Sequence, residues 1–169
     1  MKRVFAMALA VMMMLCLFVG CEKESDSKGS SKSKGYEEKL QIMADMRIGK
    51  VSKKDILSLY HEKVCEAEEL DSVVDELLEY AEEMRDEMEE ELGSNLKASY
   101  KVIEKEELTG EDLEDLKENL NSRYDINEDD IEKAYSLNVE FTFKGSDNKE
   151  RTEQRITFAC IDGEWFLTV

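Results

Sequence analysis

The chain has 169 residues and a formal net charge of −18, with 41 Asp and Glu against 23 Lys and Arg. A surface this acidic repels nucleic acid and anionic headgroups, so neither is expected as a partner. The length allows one domain, with room for a leader and a linker.

Lys2 and Arg3 form a short positive start, and Val4 to Val19 then run without a charge. That is the apolar length of a secretory signal, and it falls short of the ~20 residues a spanning helix needs. The run ends Phe18-Val19-Gly20-Cys21. A small residue before a cysteine at this point resembles the bacterial lipoprotein box, with Phe18 standing where leucine is usual. The resemblance implies cleavage between Gly20 and Cys21 and diacylation of Cys21. One buried acyl chain binds a membrane only reversibly, so stable anchoring takes at least two. The expected address is the extracytoplasmic face of a cell membrane, reached through a lipid rather than a helix. A plain secretory signal and an uncleaved anchor are the alternative readings.

Residues 21–35 are the lipidated cysteine and a tether, EKESDSKGSSKSKG after Cys21, without an apolar residue. Such a composition behaves as flexible coil. Lys2 and Arg3 carry +2 and residues 22–35 a net +1, so residues 36–169, the expected α+β domain, carry −21. Cys16 leaves with the signal and Cys21 is taken by lipid. Cys65 and Cys160 then either bridge or remain two buried thiols, and the sequence leaves both open.

Residues 36–48 read as a first short helix ended by Gly49. Ser52 caps the next, with Asp55 in the place of a capping-box acid. Ile56, Tyr60, Val64 and Ala67 recur at helical spacing. Residues 52–92 as one helix would span roughly 60 Å, so two helices meeting near residue 70 are expected, the second capped at Asp71-Ser72. Val74, Leu77, Leu78, Ala81, Met84 and Met88 form its stripe, and Gly93 ends it. From Glu62 to Glu91, fifteen acids sit against Lys63 and Arg85. They lie between the apolar positions, as solvated faces do.

Lys97 to Lys105 alternates as a strand, with Ala98, Tyr100 and Val102 on one face. Thr109 is the expected cap of a helix carrying Leu113, Leu116 and Leu120. Residues 127–132 read as a turn or a short helical turn. Tyr135, Leu137, Val139, Phe141 and Phe143 then alternate with polar residues. Gly145 to Asn148 make a turn, residues 155–161 a strand, and Asp162-Gly163 a two-residue hairpin loop. That loop pairs Ile161 with Glu164, Cys160 with Trp165, Phe158 with Leu167 and Ile156 with Val169. A four-residue loop at 145–148 pairs Lys144 with Lys149, Leu137 with Ile156 and Tyr135 with Phe158. Both hairpins put their apolar residues on one face, which needs helices over it. The expected architecture is α+β: N-terminal helices on a bent antiparallel sheet, in the order helix, helix, strand, helix, then three strands.

This order, with the terminal strand Asp162-Gly163-Glu164-Trp165-Phe166-Leu167, resembles the nuclear-transport-factor-2-like (cystatin-like) domains over roughly residues 52–169. It is similar in particular to bacterial lipoproteins that end in a Gly-x-Trp-aromatic strand. The resemblance implies a cone with an apolar cavity, lined here by Tyr100, Tyr135, Leu137, Val139, Phe141, Phe158 and Trp165. Some members of that superfamily are isomerases, with an acid and tyrosine donors inside the cone. Glu150, near the hairpin tip, is the acid that stands out here.

Other motifs carry less. His61-Glu62-Lys63-Val64-Cys65 nearly spells a zinc-protease helix, but the chain's one histidine cannot supply the three ligands a catalytic zinc needs. Asp125 to Asp129 begins like a calcium loop, yet Asp130 stands where glycine belongs and Ser136 where glutamate does. Met84, Met88 and Trp165 read as core. No phosphate-cradling loop or nucleophile–base pair is present, and no cofactor is expected. The expected role is a non-enzymatic module that holds a small ligand or an envelope protein. A hydrolase or isomerase on the same fold and a purely structural envelope component are the alternatives.

Overall fold

The computed structural model describes residues 35–168. The signal, Gly20, Cys21, all of the tether before Gly35, and Val169 with its expected pairing to Ile156 lie outside the described residues. Among the described residues no helix is long and apolar enough to cross a membrane.

The body is α+β: five helices and a four-stranded antiparallel sheet in the order β1-β2-β3-β4. Helix α1 spans Tyr36–Arg47 and stops at Gly49, whose φ of +62° suits glycine. Helix α2 is Lys53–Ser58 and starts with a true capping box. The Asp55 amide donates to Ser52 Oγ at 3.3 Å, and the Ser52 amide donates to Asp55 Oδ2 at 2.8 Å.

The sequence expectation of one helix from Ser52 to about residue 70 is corrected here. The chain breaks at Leu59–His61 and restarts as α3, Glu62–Ala67. A continuous helix would send the Lys63 amide to the Leu59 carbonyl. That carbonyl instead accepts from the Leu167 amide at 2.8 Å, and the Lys63 amide donates to His61 Nδ1 at 3.3 Å. The terminal strand thus takes an acceptor out of the helix, and His61 becomes the cap of the next one.

Helix α4, Leu70–Leu92, begins from Glu69 in the left-handed region at φ 51°. Asp71 and Ser72, expected as the cap, fall inside its first turn. Its buried stripe is Leu70, Val74, Leu77, Ala81, Met84, Met88 and Leu92, with Leu78 at the flank.

Strand β1 (Lys97–Leu108) is an edge strand with a bulge between Val102 and Glu104. Helix α5 (Glu111–Tyr124) starts after Gly110 and not on a Thr109 cap; Gly110 has no side chain with which to cap it. After a short 3-10 turn at Glu128–Asp130 come β2 (Ile131–Lys144), β3 (Lys149–Ile161) and β4 (Glu164–Leu167). The observed partners include Lys144–Lys149, Leu137–Ile156, Tyr135–Phe158, Ile161–Glu164, Cys160–Trp165 and Phe158–Leu167, as the two turns dictate. Asp162 and Gly163 both have positive φ, 51° and 79°, as a two-residue primed turn requires.

The face carrying Tyr135, Leu137, Val139, Phe141 and Phe143 lies under α1. Tyr36 stacks on Phe158 at 6.0 Å between ring centres, and Arg47 stands over the Phe143 ring at 5.8 Å. Leu40 and Ala44 are fully buried there. The opposite face is polar along most of its length, where Arg155 bonds Ser136 Oγ at 2.7 Å and Glu106 at 2.9 Å. At the start of β2 this second face is covered too: Ala134, Ala159 and Ile161 join one cluster with Leu120, Tyr124 and Ile126. The β2–β3 turn closes the other end. Amides of Asp147 and Asn148 donate to the Leu92 carbonyl at 3.0 and 3.1 Å, and that of Ser146 to the Ser94 carbonyl at 2.9 Å. The first two satisfy the Leu92 carbonyl, which the C-terminus of α4 would leave without a partner.

Candidate functional site

The seven residues expected to line a cone have two fates. Leu137, Val139, Phe141 and Phe158 are buried in the packed core between sheet and helices. Tyr100, Tyr135 and Trp165 are half-buried. Tyr135 and Trp165 stack at 5.0 Å, and Tyr36 meets both edge-on, at 6.1 and 5.5 Å. Lys105 lies 3.6 Å from the centre of the Tyr135 ring, and Lys133 lies 5.7 Å from that of Trp165. The cations are supplied from within the chain, so this cluster is already satisfied by its own cation–π contacts. Glu150, the inner-face acid, is half-buried opposite Phe143 on the β2–β3 pair.

A groove opens elsewhere, where α2 and α3 wrap the edge of β4. It measures about 870 Å³. Phe166 pairs with Ala159 and therefore projects to the face opposite Trp165. Together with Leu57, Tyr60, Cys65 and Ile161 it makes an apolar floor. Burial pushes the phenol of Tyr60 up and keeps it neutral. The rim is acidic: Glu62, Glu66, Glu69, Asp71, Asp162 and Glu164 border the groove and are all exposed. The cations beside them are Lys54 on the rim and Lys39, which stands over the Phe166 ring at 5.7 Å and donates to the Ser58 carbonyl. Burial lowers Lys39. Lys53 pairs with Asp71 at 3.2 Å, and Lys63 turns away to Asp125 at 3.6 Å.

The two residues of reactive type in the groove both serve the fold. His61 uses Nδ1 to cap α3 and meets the Phe166 ring edge-on at 5.1 Å. The Cys65 thiol faces the Leu57 and Tyr60 carbonyls at 3.7 and 3.9 Å, and burial pushes it up, away from the reactive thiolate. Cys65 and Cys160 are both free thiols. Cys160 is buried on β3 and faces Glu132 at 3.7 Å; burial raises it as well, with the Glu132 charge a second cause.

His61 and Cys65 thus come together in one groove, although the motif that singled them out was a metal motif. Among the described residues no group of three or more His, Cys, Asp and Glu is placed to hold a metal ion. Asp125 ends α5 in a left-handed conformation and Asn127 caps the 3-10 turn, so the calcium-like run is spent on chain reversal.

The sequence reading passed over Phe166. The signal was there: Trp165, Phe166 and Leu167 are apolar in succession, which on a strand means that both faces are covered. No family model, no curated protein and no solved structure matches this chain.

Proposed function

We propose that the chain is a lipid-anchored extracytoplasmic protein whose acidic α+β body is a non-enzymatic binding module. Anchorage rests on the sequence from Lys2 to Cys21. Binding rests on one observation: the groove at the β4 edge has an apolar floor, while its histidine and cysteine are committed to a helix cap and to carbonyl contacts. Grooves of some 300–1,000 Å³ with apolar walls and a few polar groups are the usual form of a ligand site. In this reading the body is a variant of the nuclear-transport-factor-2-like architecture. Its support is the run of helices followed by strand, helix and three-stranded meander.

Two measurements test the two halves. Growth with labelled fatty acid should mark the chain, and Cys21→Ala should abolish the label and release the protein from the membrane fraction. An unchanged label or unchanged membrane association overturns the anchor. The apolar fluorophore N-phenylnaphthylamine should bind the full chain in mild detergent and slow iodoacetamide alkylation of Cys65, which lines the groove, while leaving Cys160 unaffected. Alkylation of Cys65 at the same rate with and without the dye overturns the groove as a binding site.

A further inference from the structure

Resting on the reading of the β4-edge groove as a binding site, we infer that its ligand is a short basic peptide segment with an apolar side chain, drawn from a partner protein. Three features of the groove define that chemistry.

The first is the floor. Leu57, Ile161 and the Phe166 ring offer a surface that rewards burial of an aliphatic or aromatic side chain. Phe166 is the natural anchor, because its ring is half-buried in the groove, with Lys39 over it and His61 edge-on against it.

The second is the rim, where six carboxylates stand against Lys54, Lys39 and the Lys53 that pairs with Asp71, an acidic excess of three. Only charges within a Debye length, about 8 Å at physiological ionic strength, act with force on a bound group. Those six therefore outweigh the diffuse charge of the rest of the body. They stand around an apolar floor, where a lysine or arginine stem can lie on the floor while its charged head reaches a carboxylate. An acidic peptide or an anionic headgroup meets the net negative charge of the same groove.

The third is size. A single small amine would leave most of about 870 Å³ unfilled, whereas several consecutive side chains fill it. Charge and floor together select a segment that alternates basic and apolar residues. Its association should be fast and sensitive to salt.

The test uses the full chain in mild detergent and three labelled synthetic hexapeptides: KFKFKF, EFEFEF and hexalysine. Binding is read by fluorescence anisotropy, and its place by protection of Cys65 from iodoacetamide. KFKFKF should bind roughly tenfold more tightly than either control, as expected for one good apolar anchor beside paired charges. It should protect Cys65 and leave Cys160 unaffected. Glu66→Lys with Glu69→Lys should weaken it about tenfold, and Phe166→Ala by a similar factor. The two glutamates are exposed, so the charge-reversed protein keeps its core and the result is readable even where Phe166→Ala loosens the fold.

Equal protection by EFEFEF overturns the basic ligand while leaving the groove a binding site. Hexalysine binding as tightly as KFKFKF without protecting Cys65 overturns it too, since attraction to the acidic surface then accounts for the affinity. Protection of Cys65 by none of the peptides and not by N-phenylnaphthylamine removes the binding role itself, and the inference with it.

Discussion

Gly145→Ala should destabilise the body far more than its chemistry suggests. A Cβ at this position would lie 2.1 Å from the Leu92 carbonyl oxygen and 2.6 Å from that of Gly93. Both obstacles are backbone, so no side chain can swing aside. The turn has to lift from the end of α4, and the hydrogen bonds from the amides of Ser146, Asp147 and Asn148 go with it. At about 1 kcal/mol each, the loss comes to roughly 3 kcal/mol, a large part of a typical domain's 5–15 kcal/mol. Gly163→Ala is the control. Only the Glu132 carboxylate, at 3.9 Å, comes near its Cβ, and its φ of +79° in the two-residue turn leaves backbone strain, about 1 kcal/mol. Urea unfolding followed by Trp165 fluorescence and far-ultraviolet circular dichroism measures both. With a slope of about 1–3 kcal/mol/M, the Gly145→Ala midpoint should fall by about 1–3 M. If the two alanine variants unfold within about 0.5 kcal/mol of each other, the close docking of hairpin on helix is wrong.

Ser52→Ala removes half of the capping box and should cost about 1 kcal/mol at neutral pH. Hydrogen bonds from the Ser52 hydroxyl and amide hold the Asp55 carboxyl below its ordinary value. That contribution is complete above the unfolded value, near pH 4, and is lost as pH falls through the lower folded value. The gap between wild type and Ser52→Ala should therefore narrow between thermal melts at neutral pH and at about pH 3; a widening gap refutes the assignment. Tyr124 is pushed up to about 12, first by burial and then by the Glu68 carboxylate it bonds at 3.1 Å. Tyr60 is raised further by burial. Stability held by these neutral phenols is present below the unfolded value near 10 and is lost as pH rises through the folded values. Absorbance at 295 nm should show a late tyrosine phase coincident with unfolding, reduced in Tyr124→Phe; a single phase near pH 10 contradicts the burial. Finally, Cys65 should react slowly with Ellman's reagent in the native body and Cys160 only after unfolding. A native chain that reacts at neither position even when denatured, and at both after reduction, would point to the bridge instead.

Legibility divided by the range of the interaction that decides each feature. Both C-terminal hairpins could be read because Asp162-Gly163 and Gly145–Asn148 fix loop length, and loop length fixes parity. Tyr135, Leu137, Val139, Phe141, Phe143, Ile156, Phe158, Cys160, Trp165 and Leu167 share the face that parity gives them, while Ala159, Ile161 and Phe166 pack on the other. The stripe of α4 could be read for a similar local reason. The break at Leu59–His61 could not, because its cause is an amide at Leu167, more than a hundred residues away. Glu69 gave no warning either, since a glutamate is an uncommon host for positive φ. The groove draws on α2, α3, β3 and β4, so no single stretch announces it; His61 and Cys65 attracted notice for a metal they do not assemble.

Under the anchorage proposed for Cys21, the bulge in β1 bears on how copies of this protein would share a membrane. Ile103 is squeezed out of register there and stands 48% exposed, while Lys101, Glu104, Lys105, Glu106 and Glu107 fringe the same edge. Molecules confined to two dimensions collide far more often than molecules free in solution, and a flat twelve-residue edge would invite them to zip into filaments. A kinked and charge-studded border makes the sheet finite and disfavours edge-to-edge pairing between copies.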